Sequence, residues 1–297
     1  MLISSNRPLE KLAISIMVSF YSIIPNQGKI YLRSFLSRLT AIYLGVIKLF
    51  HYGTIDMFDG IAIETTTYCN RQCKYCPNSI YDRGRREKEG LMPAELFKKI
   101  IDDLKAINFN GRLMPHLFGE PLLDKRLPQL LKYAHEQLPQ ASLSIDTNGD
   151  YLDKDLLDKL YESGVGAFYV TLHDKTDISA NRIDQLIKYV KSSKKKIKIV
   201  SQVLDESTPL YTRAGLVKIN KINWQLPCIK PIVIDYCGNV LLCCNDYFGD
   251  TAVGNVGKIT LKEIWKSNIF INMRANLRHG IYESLGCQRC IKSMHVD

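Results

Sequence analysis

From Ile61 to Val203, apolar runs of strand length alternate with stretches of helical period, and the apolar runs end in residues suited to chemistry rather than packing. The spacing predicts strands over Ile61–Glu64, Arg112–Phe118, Ala141–Thr147, Ala167–Leu172 and Ile197–Val203. It predicts helices over Pro93–Ile107, Leu127–Gln137, Lys154–Ser163 and Ile183–Lys191. Such alternation implies parallel βαβ units, in which binding and reacting groups gather at the C-terminal ends of the strands. A cysteine loop follows the first strand, Gly119-Glu120-Pro121 the second, Asn148-Gly149 the third and His173 the fourth. About 150 residues are too few for the ~250 of a closed eightfold barrel. The expected fold is therefore α/β, a partial (β/α) barrel of about five or six strands with one side open to substrate.

The cysteine loop, CNRQCKYC, places Cys69, Cys73 and Cys76 in a C-x3-C-x2-C run. Three thiolates at this spacing can hold three irons of a 4Fe–4S cluster. Full ligation takes four cysteines, and the sequence offers no fourth nearby, so one iron is left open for a chelating ligand. The alternatives are a zinc site or a disulfide framework, but structural zinc uses paired C-x2-C knuckles that close four ligands, and this run is asymmetric. A second group, Cys228, Cys243, Cys287 and Cys290, has the pattern C-x14-C-x43-C-x2-C. Four thiolates complete a 4Fe–4S cluster with no open iron; a zinc ribbon is the alternative. Cys244 competes with Cys243 as the second ligand, and Cys237 reads as a small buried hydrophobe.

A hydrophobic content of 46% over 297 residues supports a real core and excludes wholesale disorder. The nine cysteines fall into groups, which in a cytosolic chain means metal more often than disulfide; the expected compartment is the reducing cytoplasm. The net charge of +10 draws on Lys188, Lys191, Lys194, Lys195, Lys196 and Lys198, a cluster read as a solvated helix end complementing the macrodipole. With no helix-turn-helix or stacked-aromatic module in view, no nucleic-acid partner is expected. Ahead of the alternating region, Leu12–Ile24 is apolar but spans thirteen residues, against the ~20 of a membrane helix, and no clean cleavage site follows it. Ile30–Phe50 is interrupted by Arg33, Ser37, Arg38 and Lys48 and reads as a basic amphipathic helix. The expected organisation is a helical N-terminal extension over 1–58, the partial barrel over 59–210 and a cluster-bearing domain over 211–297. The extension either caps the core or makes a peripheral membrane or partner contact.

Taken together, the C-x3-C-x2-C loop, Tyr75 immediately before Cys76, Gly119-Glu120-Pro121-Leu122 and Thr147-Asn148-Gly149 resemble the radical S-adenosylmethionine (SAM) enzymes. The resemblance implies that SAM chelates the open iron and is cleaved to a 5′-deoxyadenosyl radical that takes a hydrogen atom from the substrate. It further implies that Gly119 and Glu120 meet the SAM ammonium, that Asn148 meets the ribose, that Tyr75 lies near the adenine, and that His173 contacts SAM or transfers a proton. A carboxylate such as Glu120 is a strong acceptor for a cation. The later order, Gly238 to Cys243, Gly254-Asn255-Val256, Leu261–Trp265 and Cys287-Gln288-Arg289-Cys290, resembles the auxiliary-cluster extensions of the SPASM and shortened twitch classes. That resemblance favours Cys243 over Cys244 and implies two 4Fe–4S clusters in all.

The stretches CNRQCKYCPNS, FNGRLMPHLFGEPLL, DTNGDYL, FYVTLH, TRAG, GNVLLC and GNVGKITLKEIW resemble the branch of this family that oxidises a secondary alcohol of an aminocyclitol. The similarity runs from about Ile61 to Cys290. It implies a two-electron oxidation in which the auxiliary cluster accepts an electron. Arg213, in TRAG, would lie near the substrate; because arginine stays protonated in proteins, its role would be to orient the hydroxyl and stabilise developing oxyanion charge. The implied partners are a small-molecule sugar- or aminocyclitol-like substrate and an electron donor such as flavodoxin or ferredoxin. A peptide maturase or epimerase, with a peptide as substrate, is the alternative within the family. A non-catalytic iron–sulfur or zinc scaffold is the alternative outside it.

Overall fold

The computed structural model describes residues 39, 42–173, 178–205, 208–219 and 231–294. The chain forms two compact units, 1–57 and 58–297. In the first, residues 42–52 are helical, and Lys48 Nζ donates to the Met57 carbonyl at 2.6 Å. The apolar run Leu12–Ile24 lies outside the described residues, as does most of the amphipathic segment. Among the described residues, no helix is long and apolar enough to cross a membrane.

The second unit is built on one eight-stranded sheet. Its strands are β1 (Gly60–Ile63), β2 (Arg112–Met114), β3 (Ser142–Thr147), β4 (Val165–Leu172), β5 (Lys198–Val203), β6 (Ile232–Ile234), β7 (Asn239–Leu241) and β8 (Ala252–Asn255). The spatial order is β5-β4-β3-β2-β1-β6-β7-β8. Pairing is parallel from β5 through to β6 and antiparallel for β6–β7 and β7–β8. The crossover helices are α1 (Ala94–Ala106), α2 (Leu127–Gln137), α3 (Lys154–Glu162) and α4 (Ile178–Ser192). After β8 come α5 (Leu261–Lys266), α6 (Asn268–Arg278) and α7 (Leu285–Met294). This is the α/β architecture with a parallel core that the alternation implies, and the hairpin strands of the C-terminal region extend the same sheet.

Three boundaries differ from the spacing by more than one residue. β2 stops at Met114 rather than running to Phe118, because Pro115 has no N–H to donate to a ladder. β4 begins at Val165, two residues earlier than expected, where Gly164, at φ 91°, turns the chain out of α3. α4 begins at Ile178 rather than Ile183, since its first turn is polar and lacks the apolar period by which helices are recognised.

The two faces of the sheet differ in chemistry. On one, Leu113, Leu143, Ile145, Phe168 and Val170 are buried. The apolar stripes of the helices are buried too; on α1 that stripe is Phe97, Ile100, Ile101 and Leu104, the i, i+3, i+4 spacing of a core-facing helix. Side chains alternate along a strand, so Arg112, Ser144, Asp146 and Tyr169 project to the other face. There the Arg112 guanidinium donates to Ser144 Oγ at 2.5 Å and to Asp146 Oδ2 at 3.0 Å, and it lies 4.4 Å from the Tyr169 ring centre. Towards β1, β6 and β7 this inner face turns apolar, with Ala62, Val233 and Leu241 buried and Met114 packed against them.

Phe168→Ala empties a fully buried site on the outer face. The expected cost is about 3–5 kcal/mol of stability, read from the urea midpoint of the apoprotein; a shift of less than about 1 kcal/mol would contradict this account of the core.

Candidate active site

The cysteine loop leaves the sheet at the end of β1 and returns at α1. Its ends are zipped together by a bridge between Thr66 and Leu91 and by hydrogen bonds from Met92 N to the Thr65 carbonyl (3.0 Å) and from Thr67 N to the Gly90 carbonyl (2.9 Å). Within it, Cys69 N donates to the Gly84 carbonyl at 3.0 Å and Cys76 N to the Cys73 carbonyl at 2.8 Å. The loop is pinned to the next strand end by Glu120 N, which donates to the Tyr68 carbonyl at 2.8 Å. A Cβ at Gly119 would overlap the Thr66 carbonyl, so only glycine allows this approach.

Glu120 is buried. Its carboxylate accepts from Thr147 Oγ1 at 2.6 Å, Asn148 N at 2.9 Å and Leu122 N at 3.2 Å. Burial pushes its pKa up to about 7, against the pull of those hydrogen bonds. The carboxylate thus braces the end of β3 against the end of β2. Asn148 reaches back to the cysteine loop, its Nδ2 donating to Asn70 Oδ1 at 2.9 Å.

Tyr75 and His173 stack with ring planes 4° apart and centroids at 5.8 Å. The Tyr75 hydroxyl lies 2.7 Å from His173 Nδ1, and Cys73 Sγ lies 3.7 Å from the same nitrogen. The structure thus brings Cys69, Cys73, Cys76, Tyr75, Gly119, Glu120, Asn148 and His173 to one end of the sheet.

The thiols form a crowded, half-buried set. Burial pushes Cys69 up to about 12, with the charges of Glu120, Cys73 and Cys76 adding to the effect. Cys73 and Cys76 are also raised, first by burial. Buried thiols of this kind stay protonated until a metal takes them as thiolates, and an iron–sulfur cluster is held by such thiolates; the residues present fit that group. Among the described residues, no three Cys, His, Asp or Glu side chains gather as ligands of a single ion would.

Arg213 lies in a turn in which it, Ala214 and Gly215 all have positive φ, at 51°, 56° and 76°. Two consecutive non-glycine residues in that region are costly and mark a constrained site. The Arg213 guanidinium donates to Asn245 Oδ1 at 3.1 Å and sits 5.9 Å from the Phe118 ring centre. Its charge lowers the pKa of Cys76, Tyr75 and Cys244, in each case as a secondary influence.

The neighbouring Ala214 lines a small cleft, partly open to solvent, together with Cys243, Cys287 and Cys290. Cys287 and Cys290 stand one turn apart on α7, and Cys243 follows β7. Cys228 lies outside the described residues. Cys244 packs instead beside Cys76 in the apolar cluster of Ala62, Val233 and Tyr247, although its charge is felt at Cys290.

Two braces have no counterpart in the motif reading. Asp150 accepts from Arg71 Nε at 2.6 Å, Asn70 Nδ2 at 2.7 Å and Ser179 Oγ at 2.9 Å, tying the cysteine loop to the end of β3 and to α4. Arg83 pairs with the fully buried Glu64, donates to the Tyr247 carbonyl at 2.5 Å and lies 5.1 Å from the Tyr247 ring centre. Burial outweighs Arg83 and raises Glu64 to about 7. The signal for Asp150 was its place directly after Asn148-Gly149; nothing local marks Arg83.

Comparison with known proteins fits this geometry. Residues 63–225 match the Radical SAM superfamily, and 228–291 match SPASM, an iron–sulfur cluster-binding domain. The chain belongs to the radical SAM superfamily and is an enzyme of that class, using SAM and iron–sulfur chemistry. It is 34% identical over 233 residues to the S-adenosyl-L-methionine-dependent 2-deoxy-scyllo-inosamine dehydrogenase of Niallia circulans, covering 75% of this chain and 88% of that protein. A crystal structure of BtrN in complex with AdoMet and 2-DOIA superposes with a TM-score of 0.66 at 32% identity, covering 75% of this chain and 88% of the other. The AdoMet-bound structure of histidine-tagged anSMEcpe, at 15% identity, TM-score 0.52 and coverage of 72% and 78%, shares the fold.

Burial works to raise the Asp150 pKa, but hydrogen bonds from Arg71, Asn70 and Ser179 outweigh it and hold the group below the usual carboxylate range. A depressed carboxylate stabilises at neutral pH, and the contribution is lost as pH falls through the folded-state value. Asp150→Asn is therefore expected to speed alkylation of Cys69 and Cys73 in the apoprotein at pH 7, and limited proteolysis of the loop should show the same loosening in the parent only on acidification. Equal alkylation rates in parent and variant would remove Asp150 as the brace.

Proposed function

We propose that the protein is a radical SAM dehydrogenase that oxidises a secondary alcohol of a sugar- or aminocyclitol-like small molecule. The observation that carries the reading is the Arg213–Gly215 turn: Arg213 faces the Cys76 side while Ala214 lines the Cys243–Cys287–Cys290 cavity. A substrate held at Arg213 lies between the two cysteine groups, which is what removing a hydrogen atom and then an electron demands. The name of the 34% identical relative supports the same reaction class.

In this reading Cys69, Cys73 and Cys76 hold one 4Fe–4S cluster, and Cys228, Cys243, Cys287 and Cys290 hold a second whose four thiolates leave no iron open. With SAM bound at the first, the pair would supply a 5′-deoxyadenosyl radical, and the second cluster would supply an acceptor for one electron. The chain's own residues do the positioning. Gly119 would let the backbone approach the SAM amino group, Asn148 would meet the ribose, and Tyr75 and His173 form an aromatic wall beside Cys73. Glu120 is spent on Thr147 and on backbone amides and acts by holding these groups in place. Arg213 donates to the substrate hydroxyl and stabilises the negative charge that develops on its oxygen. Phe118, Tyr247 and their neighbours keep water away, which strengthens that interaction. A flavodoxin or ferredoxin is the donor class that suits the first cluster.

The test is anaerobic incubation of reconstituted enzyme with SAM, reductant and 2-deoxy-scyllo-inosamine deuterated at its carbinol carbons, alongside sugars and peptides. Deuterium in 5′-deoxyadenosine together with a ketone product is expected; deuterium from a peptide instead would overturn the reading. Replacing Cys287 and Cys290 by alanine should remove about four of the roughly eight irons. Deoxyadenosine formation should survive while ketone falls, and undiminished ketone would refute the electron-acceptor role.

A further inference from the structure

An alcohol oxidation must dispose of a proton as well as a hydrogen atom and an electron, and none of the groups assigned so far can take it. Arg213 stays protonated. His173 is engaged by the Tyr75 hydroxyl at 2.7 Å and by Cys73. Asp146 is held by Arg112 at 3.0 Å. We propose that His116 is the general base of the active site, taking the substrate's hydroxyl proton. The assignment rests on the alcohol-oxidation reading above.

Three observations place it. His116 follows the end of β2 by two residues, at the same end of the sheet as Gly119. It stands three residues before Gly119, at the edge of the SAM-binding loop. Its Nδ1 is shielded from solvent and has no hydrogen-bond partner among the described residues. A shielded ring nitrogen with nothing to pair with is costly, unless a ligand completes it. In a neutral imidazole one nitrogen is an acceptor.

The charged groups around the ring come from every neighbouring element. Asp146 on β3 and a hydrogen bond to the Gly119 backbone favour the imidazolium, while Arg213 and Arg112 disfavour it. Burial is the largest influence and pushes the pKa below the ordinary histidine value. His116 is therefore neutral and able to accept a proton at pH 7, and Arg213, whose charge reaches the same ring, would hold the hydroxyl oxygen that carries it.

The balance closes. The carbinol C–H bond breaks homolytically and its hydrogen atom goes to the deoxyadenosyl radical. The O–H bond then breaks heterolytically, and its proton goes to His116. The C=O bond forms, and the remaining electron goes to an oxidised iron–sulfur cluster at the auxiliary cysteines.

The experiment uses the full reconstituted chain with SAM and carbinol-deuterated 2-deoxy-scyllo-inosamine as probe. In His116→Gln, label should still enter deoxyadenosine while ketone falls about a hundredfold or more. The parent's ketone rate should fall only as pH drops below the ordinary histidine value, since protonation then removes the base, and this acid limb should vanish in the variant. In His116→Gly, added imidazole should restore ketone in proportion to its neutral form. Independently of turnover, modification of His116 by diethyl pyrocarbonate should be slowed by SAM plus probe beyond any effect of SAM alone. An unchanged ketone-to-deoxyadenosine ratio in His116→Gln, or equal modification with and without the probe, would overturn the assignment. A parent enzyme that transfers no label would overturn the reaction class itself and His116 with it, so the two failures are distinguishable.

Discussion

The approach of Gly119 to the end of β1 is the contact on which the rest of the site depends. With no side chain at 119, the backbone after β2 lies against the Thr66 carbonyl, and Glu120 N closes on the Tyr68 carbonyl at 2.8 Å. That single hydrogen bond places the start of the cysteine loop, while the Glu120 carboxylate carries the same position across to Thr147 and Asn148 on β3. A loop from 65 to 92 that buries few large apolar side chains cannot hold three thiols in place by packing alone. It is held by polar braces, Asp150 on one side and Arg83 on the other, each satisfied by several partners. Buried polar groups with complete partners specify one arrangement, and removing one partner strands the others.

The inner face of the sheet divides the labour. Around Cys76 the lining is apolar, with Ala62, Leu117, Phe118, Val233 and Tyr247, and it keeps the dielectric low where charge develops. Across β2, β3 and β4 it turns polar, with Arg112, Ser144, Asp146 and Tyr169 joined by hydrogen bonds and stacking. Arg112 and Asp146 each stay about a third exposed, so this patch opens to solvent rather than forming part of the core. Arg213 stands where the two regions meet, held in a left-handed turn that the packing of Gly215 against the Arg289 backbone helps fix.

Much of this was written in the sequence because it is local. Alternating apolar runs set the parallel sheet, and strand ends placed Cys69, Cys73, Cys76, Gly119, Asn148 and His173 together, as pairing in a parallel sheet requires. The C-x2-C step from Cys287 to Cys290 put two thiols on one face of a helix. Tertiary structure alone decided what depends on distant partners. It set Cys243 on the cavity and Cys244 into the apolar cluster, although the two are adjacent and chemically identical. It joined Arg83 to Glu64 across the loop and Tyr247 to Asn78, 169 residues apart in the chain. It surrounded His116 with Asp146, Arg112 and Arg213 from three separate segments. Spacing reports what a residue can do; its burial and the charges around it exist only once the chain has closed on itself.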